Sequence, residues 1–354
     1  MPKDDIVRVP EKTGSEKAIL LWFLGWFVLI NLAVYAMFDT QLFSHASRQR
    51  LLMNPSENQI DRVISAINKE KDIRHVIFLG NSIVWGVGVD DEAQTMVGRV
   101  KAHYANRSDV RVLSLAVPGE SLLDSFAVLR KTQNPDNLFV LVVNTTLVED
   151  HERDPSFRSL VHFPVLVEEE FSAERKDVAQ CCLIAIPPPR FAALRRFAET
   201  VLPLYGDRDT LAHWLIGISF ADAERAVLGR FFSGGVATVF TRKPMAWQHG
   251  VTDHRALPEA EGSWPLKLLS KLFSENGRAD NVITVLMDDD RYDRGKAADR
   301  NAALLRRALS GGTLVDLYGK LHGKFYDTLH VTPAGHEAVA NKLIPILDRK
   351  LHAP

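Results

Sequence analysis

The longest uncharged apolar stretch of the chain runs from Ala18 to Phe38. As a helix rising about 1.5 Å per residue it spans roughly 30 Å, the thickness of a bilayer's hydrocarbon core. Trp22 lies near one end and Tyr35 near the other, where interfacial aromatic side chains sit. A cleaved leader would carry a shorter apolar region, about 7–15 residues, followed by a small-x-small site. The Met37-Phe38-Asp39 junction offers no such site, so residues 18–38 read as an uncleaved transmembrane anchor. Lys3, Arg8, Lys12 and Lys17 precede the span, and Arg48 and Arg50 follow it within a similar distance. By the positive-inside rule, residues 1–17 form a cytoplasmic tail and everything after the anchor lies on the extracytoplasmic side of a single-pass membrane protein.

Beyond the anchor the pattern becomes that of a folded domain. Ile60, Val63, Ile64 and Ile67 follow i, i+3, i+4, i+7 and predict an amphipathic helix over about 55–71, within a 39–74 linker region. Short apolar runs predict strands at His75–Leu79, Val110–Ala116, Leu138–Val143, Asn281–Met287 and Thr313–Asp316. Helices are expected at Asp91–Tyr104, Leu122–Lys131 and Pro333–Leu351, with Pro333 suited to a first turn and a kink expected at Pro345. The third strand is apolar at nearly every position, as when both faces are covered. Strands alternating with helices imply right-handed crossovers and an α/β fold: a three-layer α/β/α sandwich around a central parallel sheet, occupying residues 75–354.

Between the third and fourth strands lie residues 146–280, far longer than a usual connection. They read as a helical insertion, with helices at Arg190–Leu202, Thr210–Phe220 and Ala221–Phe232. Ligands of open parallel sheets bind beyond the carboxyl ends of the strands. An insertion that leaves the third strand is therefore expected to shape the site. Phe191, Leu194, Ala198 and Val201 share a helical face beside Arg190, Arg195 and Arg196. That amphipathic basic helix reads first as packing on the domain, second as resting on a membrane surface or partner.

Composition removes several classes. The chain of 354 residues is 46% hydrophobic and 25% charged, which excludes disordered, collagenous and low-complexity types. Its 43 Lys and Arg balance 44 Asp and Glu, and no zinc-finger, RNP or helix-turn-helix signature is present, so nucleic acid is not an expected partner. Cys181 and Cys182 are adjacent within an apolar run; they read as small buried residues, and a disulfide framework is excluded.

Candidate chemistry gathers at the predicted strand ends. Strand one ends in Gly80-Asn81-Ser82, where a serine on a glycine-eased turn can present its hydroxyl above the sheet edge. Strand two leads to Gly119, whose backbone N–H can approach a ligand closely. Strand three ends at Asn144, a side-chain amide donor at the same edge. Near the C-terminus stands Asp327-Thr328-Leu329-His330, in which the Asp can hold one imidazole nitrogen and leave the other for Ser82. Taken singly, each feature also describes an ordinary turn or cap. Asp-x-x-His recurs as Asp72-Ile73-Arg74-His75, but His75 begins the strand that Ser82 follows. Seven residues of extended chain separate them by roughly 20 Å, so His75 cannot serve that serine. His249, Asp253 and His254 lack further ligands at diagnostic spacing, so no metal is expected. Gly86-Val87-Gly88 lacks the remainder of a phosphate loop, and Asp288-Asp289-Asp290 reads as a solvated loop. No cofactor is implied.

In this order the features resemble the SGNH (GDSL-type) hydrolase superfamily. Gly80-Asn81-Ser82 with Gly86, Gly88 and Val89-Asp90-Asp91-Glu92 is similar to the nucleophile block. Val112-Leu113-Ser114-Leu115-Ala116-Val117-Pro118-Gly119 is similar to the second block, and Asn144 falls at the third block's asparagine. Asp327-Thr328-Leu329-His330 with Thr332-Pro333-Ala334-Gly335-His336 is similar to the Asp-x-x-His block. Three positions depart from the pattern: Asn81 stands where Asp usually precedes the serine, Thr145 follows Asn144 in place of Asp, and Val142 replaces a common glycine. The resemblance covers about 75–145 and 281–350. It implies Ser82 as nucleophile, His330 as base, Asp327 as its orienting acid, and Gly119 and Asn144 as oxyanion donors. The implied activity is ester hydrolysis or O-acyl transfer on an acylated envelope glycan or lipid, beside a multispanning acyltransferase partner. Two further expectations stay open: a non-catalytic SGNH-like glycan-binding or scaffold subunit, and a lipid or thioester hydrolase that uses the basic amphipathic helix.

Overall fold

A computed structural model describes residues 13–48, 55, 57–145, 148, 162–171, 194, 197–198, 201–202, 257–258, 263–274, 279–287, 296–327 and 329–352. Cys181, Cys182, His249, Asp253, His254, Asp288–Asp290, most of Arg190–Leu202 and the expected helices at Thr210–Phe220 and Ala221–Phe232 lie outside the described residues.

Helix α1 (Thr13–Arg48) is longer than the expected anchor at both ends. Its segment Lys17–Tyr35 is long and apolar enough to cross a membrane. Leu20, Leu21, Trp22, Phe23 and Leu32 are all more than half exposed there, an arrangement that water penalises and lipid does not. Asn31 donates from Nδ2 to the Phe27 carbonyl at 2.8 Å, so its amide is partnered one turn back within the helix.

The domain is built on five parallel strands: β1 (Arg74–Leu79), β2 (Val110–Ser114), β3 (Leu138–Asn144), β4 (Val282–Met287) and β5 (Thr313–Asp316). Their order is β2-β1-β3-β4-β5. All five correspond to strands expected from the apolar runs. β2 stops two residues short of Ala116, and a short 3-10 turn at Ala279–Asn281 precedes β4. Strand alternation explains why the apolar runs are continuous. Ile77, Leu79, Phe139, Leu141 and Val143 belong to one apolar cluster. Val76, Phe78, Val140 and Val142 belong to a second cluster on the opposite face.

Helices cover both faces. The first cluster takes α2 (Glu57–Lys69), whose Ile60, Val63, Ile64 and Ile67 are all buried, and α5 (Leu122–Lys131). Each of those four α2 side chains contributes about 2 kcal/mol through burial. The second cluster takes α4 (Met96–His103) and α9 (Pro333–His352). The helix expected over Asp91–Tyr104 is split. A 3-10 turn at Glu92–Gln94 comes first, and Thr95 then caps α4 by accepting from the Gly98 N–H at 3.0 Å. Pro345 is accommodated within α9.

The long connection after β3 is partly core. Helices α6 (Pro164–Glu170) and α7 (Trp264–Ser274), at neither place where the periodicity predicts helices, contribute Leu166, Val167, Leu266 and Leu269 to the first cluster. The buried Glu57 carboxylate accepts from Val165 and Leu166 N–H groups at 2.7 and 3.3 Å, capping α6 from another element. Helix α8 (Lys296–Ala308) packs on α7 and leads to β5. In the expected basic helix, Leu194, Phe197, Ala198 and Val201 are helical, and Leu194, Phe197 and Val201 are exposed rather than packed.

Candidate active site

The order β2-β1-β3 marks the point where successive connections depart in opposite directions from β1 and β3. Loops leaving these strands diverge and open a crevice at their carboxyl ends. Ser82 and Gly119 follow β1 and β2 at this edge, and Asn144 ends β3 there.

Ser82 opens the one-turn helix α3 (Ser82–Trp85). Asn81 caps that turn: its side-chain oxygen accepts from the Ile83 N–H at 3.1 Å. The amide therefore performs the local capping work that a carboxylate would, without the charge. As first residue of the turn, Ser82 has no preceding helical carbonyl to receive its own N–H. Gly80 has φ 138°, and a Cβ there would meet Val84 Cγ2 at 2.9 Å and the Val142 carbonyl oxygen at 3.3 Å. Glycine thus lets the chain turn sharply against β3 and lift Ser82 above the edge. Gly88, at φ 84°, lies beneath the ring of Tyr326.

The base arrives from the far side of the sheet. After β5 the chain crosses back over β4 and β3, about 14 Å at the usual strand spacing. It ends in a narrow loop: Phe325 bridges Val331, the Tyr326 N–H donates to the His330 carbonyl at 2.8 Å, and the Thr332 N–H donates to Lys324 at 2.8 Å. At its tip, Asp327 Oδ1 accepts from the N–H groups of Leu329 and His330, both at 2.7 Å. Asp327 Oδ2 lies 2.7 Å from His330 Nδ1, and His330 Nε2 lies 2.9 Å from Ser82 Oγ. A carboxylate only accepts, so the proton belongs on Nδ1, and Nε2 is left to accept from the serine hydroxyl. Burial alone would raise the Asp327 carboxyl. Hydrogen bonds and charge from His330, with the two backbone N–H groups, outweigh it and hold the pKa below its ordinary value.

Gly119 sits in the turn Val117-Pro118-Gly119-Glu120, closed by the Glu120 N–H donating to Val117 at 3.0 Å. Proline at the second position and φ 80° at the third are the type II pattern. The Val117 N–H also donates to the Gly80 carbonyl at 3.3 Å, which ties this turn to the Ser82 turn. Two residues unremarked in the sequence hold it from behind. Glu120, 1% exposed, accepts from Val117 N–H at 2.9 Å and from Ser125 Oγ at 2.7 Å. Burial and the neighbouring Asp124 push its pKa well above the ordinary range. Asp124, fully buried, completes a capping box with Ser121 and also accepts from the N–H groups of His162 and Phe163 at 3.2 and 2.9 Å. Burial raises its carboxyl too, against the opposing influence of His162 and its hydrogen bonds. Ser121-Leu122-Leu123-Asp124 was a legible capping signal; nothing local marked His162.

Asn144 is the last residue of β3, 1% exposed and in register with Met287. Thr145 beside it is fully buried. His75 is placed at the opposite edge, as strand length required. No group of three or more His, Cys, Asp or Glu residues suited to a metal occurs among the described residues.

Fold and site together define an α/β protein with a hydrogen-bonded Asp–His–Ser chain at the carboxyl edge of a doubly wound sheet. No protein-family model matches this chain, and no curated protein matches it.

Proposed function

We propose that this chain is a membrane-anchored serine esterase or O-acyltransferase of the SGNH type, acting on an acylated envelope glycan or lipid from the extracytoplasmic face. The single observation that carries the reading is the unbroken hydrogen-bonded chain Asp327–His330–Ser82, assembled from residues 248 positions apart. Catalysis follows from that geometry. His330 Nε2 takes the hydroxyl proton as Ser82 Oγ adds to the ester carbonyl. Asp327 keeps Nδ1 protonated and stabilises the imidazolium. The Ser82 and Gly119 N–H groups and the Asn144 amide receive the oxyanion, each such donor being worth about 3 kcal/mol in the transition state. His330 then returns the proton to the departing alkoxide. Water or a sugar hydroxyl, activated by the same imidazole, releases the acyl group. The exposed apolar length of α1 supports the anchor, and the excess of basic residues before it supports an outward-facing domain.

The test is covalent labelling of detergent-solubilised full-length protein with a fluorophosphonate. Wild type is expected to label, and Ser82→Ala and His330→Ala are expected not to. Folded wild-type protein that resists the probe sinks the reading.

A further inference from the structure

The turn that carries Gly119 is packed against an imidazole. A Cβ on Gly119 would lie 3.1 Å from His162 Nε2 and 3.9 Å from His162 Cε1. Glycine suits this position by its φ of 80°, and any side chain here would press on the tip of the His162 ring. That approach is built rather than incidental. The backbone N–H groups of His162 and Phe163 both end on the fully buried carboxylate of Asp124. The Phe163 side chain is itself fully buried in the core beneath α6. The same carboxylate accepts from Ser121 N–H and Oγ at 3.0 and 2.7 Å, so one buried group fixes both the start of α5 and the segment bearing His162. The ring is half-buried, and its nitrogens make no hydrogen bond to any of the described residues. A held imidazole with open nitrogens, against a glycine chosen for ligand approach, is chemistry that neither the capping box nor the core requires.

We propose that His162 is a substrate-contacting residue of this site: its Nε2–H donates a hydrogen bond to the oxygen that gains charge when Ser82 adds to the acyl carbonyl. It joins the backbone donors of Ser82 and Gly119. No bond to His162 forms or breaks, and no proton leaves it; its part is electrostatic, and Asp124 is a positioning residue acting through it. The inference rests on the reading of Ser82 as nucleophile.

A fluorophosphonate places its phosphoryl oxygen where the oxyanion would lie, so the rate of Ser82 labelling reads this donor without a known substrate. Full-length protein in detergent is compared as wild type, His162→Ala and His162→Gln, each with its thermal midpoint. The expected result is labelling at least tenfold slower in His162→Ala at an unchanged midpoint. His162→Gln, which retains a side-chain N–H of similar reach, should recover most of the rate. Wild-type rates in both variants overturn the inference, and so does equal slowing in both, with or without a lowered midpoint. An unlabelled wild type overturns the Ser82 reading and this inference with it; a labelled wild type with unaffected variants overturns this inference alone.

Discussion

Asp-x-x-His occurs twice in this chain, and the two copies sit at opposite edges of one sheet. In Asp327–His330 the backbone folds back on itself, so one carboxylate binds the N–H groups of residues 329 and 330 and the imidazole as well. In Asp72–His75 the chain is already extending into β1. Asp72 lies in the turn before the strand, which begins only at Arg74, and no hydrogen bond joins its carboxylate to the His75 ring. Asp72 is exposed, and His75, fully buried, finds other partners: Asn137 Oδ1 at 3.2 Å and Glu70 Oε2 at 3.0 Å. Arg111 in turn holds Glu70 at 2.6 and 2.7 Å. Both histidines therefore have two ring partners. One faces a hydroxyl above a crevice, while the other locks the start of a strand. A motif of four residues acquires its chemistry from the backbone shape it adopts and from what lies beyond its second nitrogen.

The comparison breaks most severely at His330. His330→Ala is expected to reduce turnover about 10⁶-fold and abolish fluorophosphonate labelling while the protein remains folded. A variant that still labels at a comparable rate would remove His330 from the mechanism. Asp327→Asn comes next, costing on the order of 10⁴ in turnover because the amide favours the wrong tautomer of His330; a loss below tenfold would contradict that role.

His75→Ala should invert the pattern. Labelling per folded molecule stays at the wild-type rate, while denaturant unfolding shows a loss of about 2–4 kcal/mol from the cavity and the stranded partners. A fall in labelling without unfolding would show that the two edges communicate.

Acid titration of stability separates the two sites further. His75 is held below its ordinary 6.5, by burial first, against the hydrogen bonds of Glu70 and Asn137. The unfolded chain then takes up that proton before the folded one, so stability declines as pH falls below about 6.5. Asp327 is lowered from 3.8, so its stabilisation is present above that value and is lost as pH falls through its folded pKa. His75→Gln should flatten the upper window and Asp327→Asn the lower; one variant flattening both would refute the assignment. The smallest effect is expected from Asp72→Asn, within about 0.5 kcal/mol in stability and with unaltered labelling, because its side chain is exposed.

Much of this was legible beforehand, for local reasons. Five apolar runs became five strands, because a strand covered on both faces must be apolar at successive positions. The spacing of Ile60, Val63, Ile64 and Ile67 gave α2. Helix α6 left no periodic signal because Pro164–Glu170 is seven residues long and is capped by Glu57 from over a hundred positions away. The split before α4 was missed because the cap at Thr95 lies inside an otherwise continuous helical pattern. Ser82, Asp327 and His330 were found by their order and strand-end positions. Asp124 carries a local signal in its capping-box spacing from Ser121, but Glu120 and His162 carry none, since a buried carboxylate and a loop histidine look like surface residues until the chain folds over them.

Sequence alone determined what depends on neighbours within a few residues: the apolar span of α1, the strand pattern, the Pro118-Gly119 turn and the caps at Asn81 and Ser121. It also determined that His75 could not serve Ser82, since strand length is a local quantity. Tertiary structure decided what depends on distant segments meeting. It brought the loop after β5 back across two strands to set His330 against Ser82, and it hung His162 on a carboxylate of α5. Those contacts close long loops, and the entropy of closing them is recovered by two shared apolar cores rather than by any local signal.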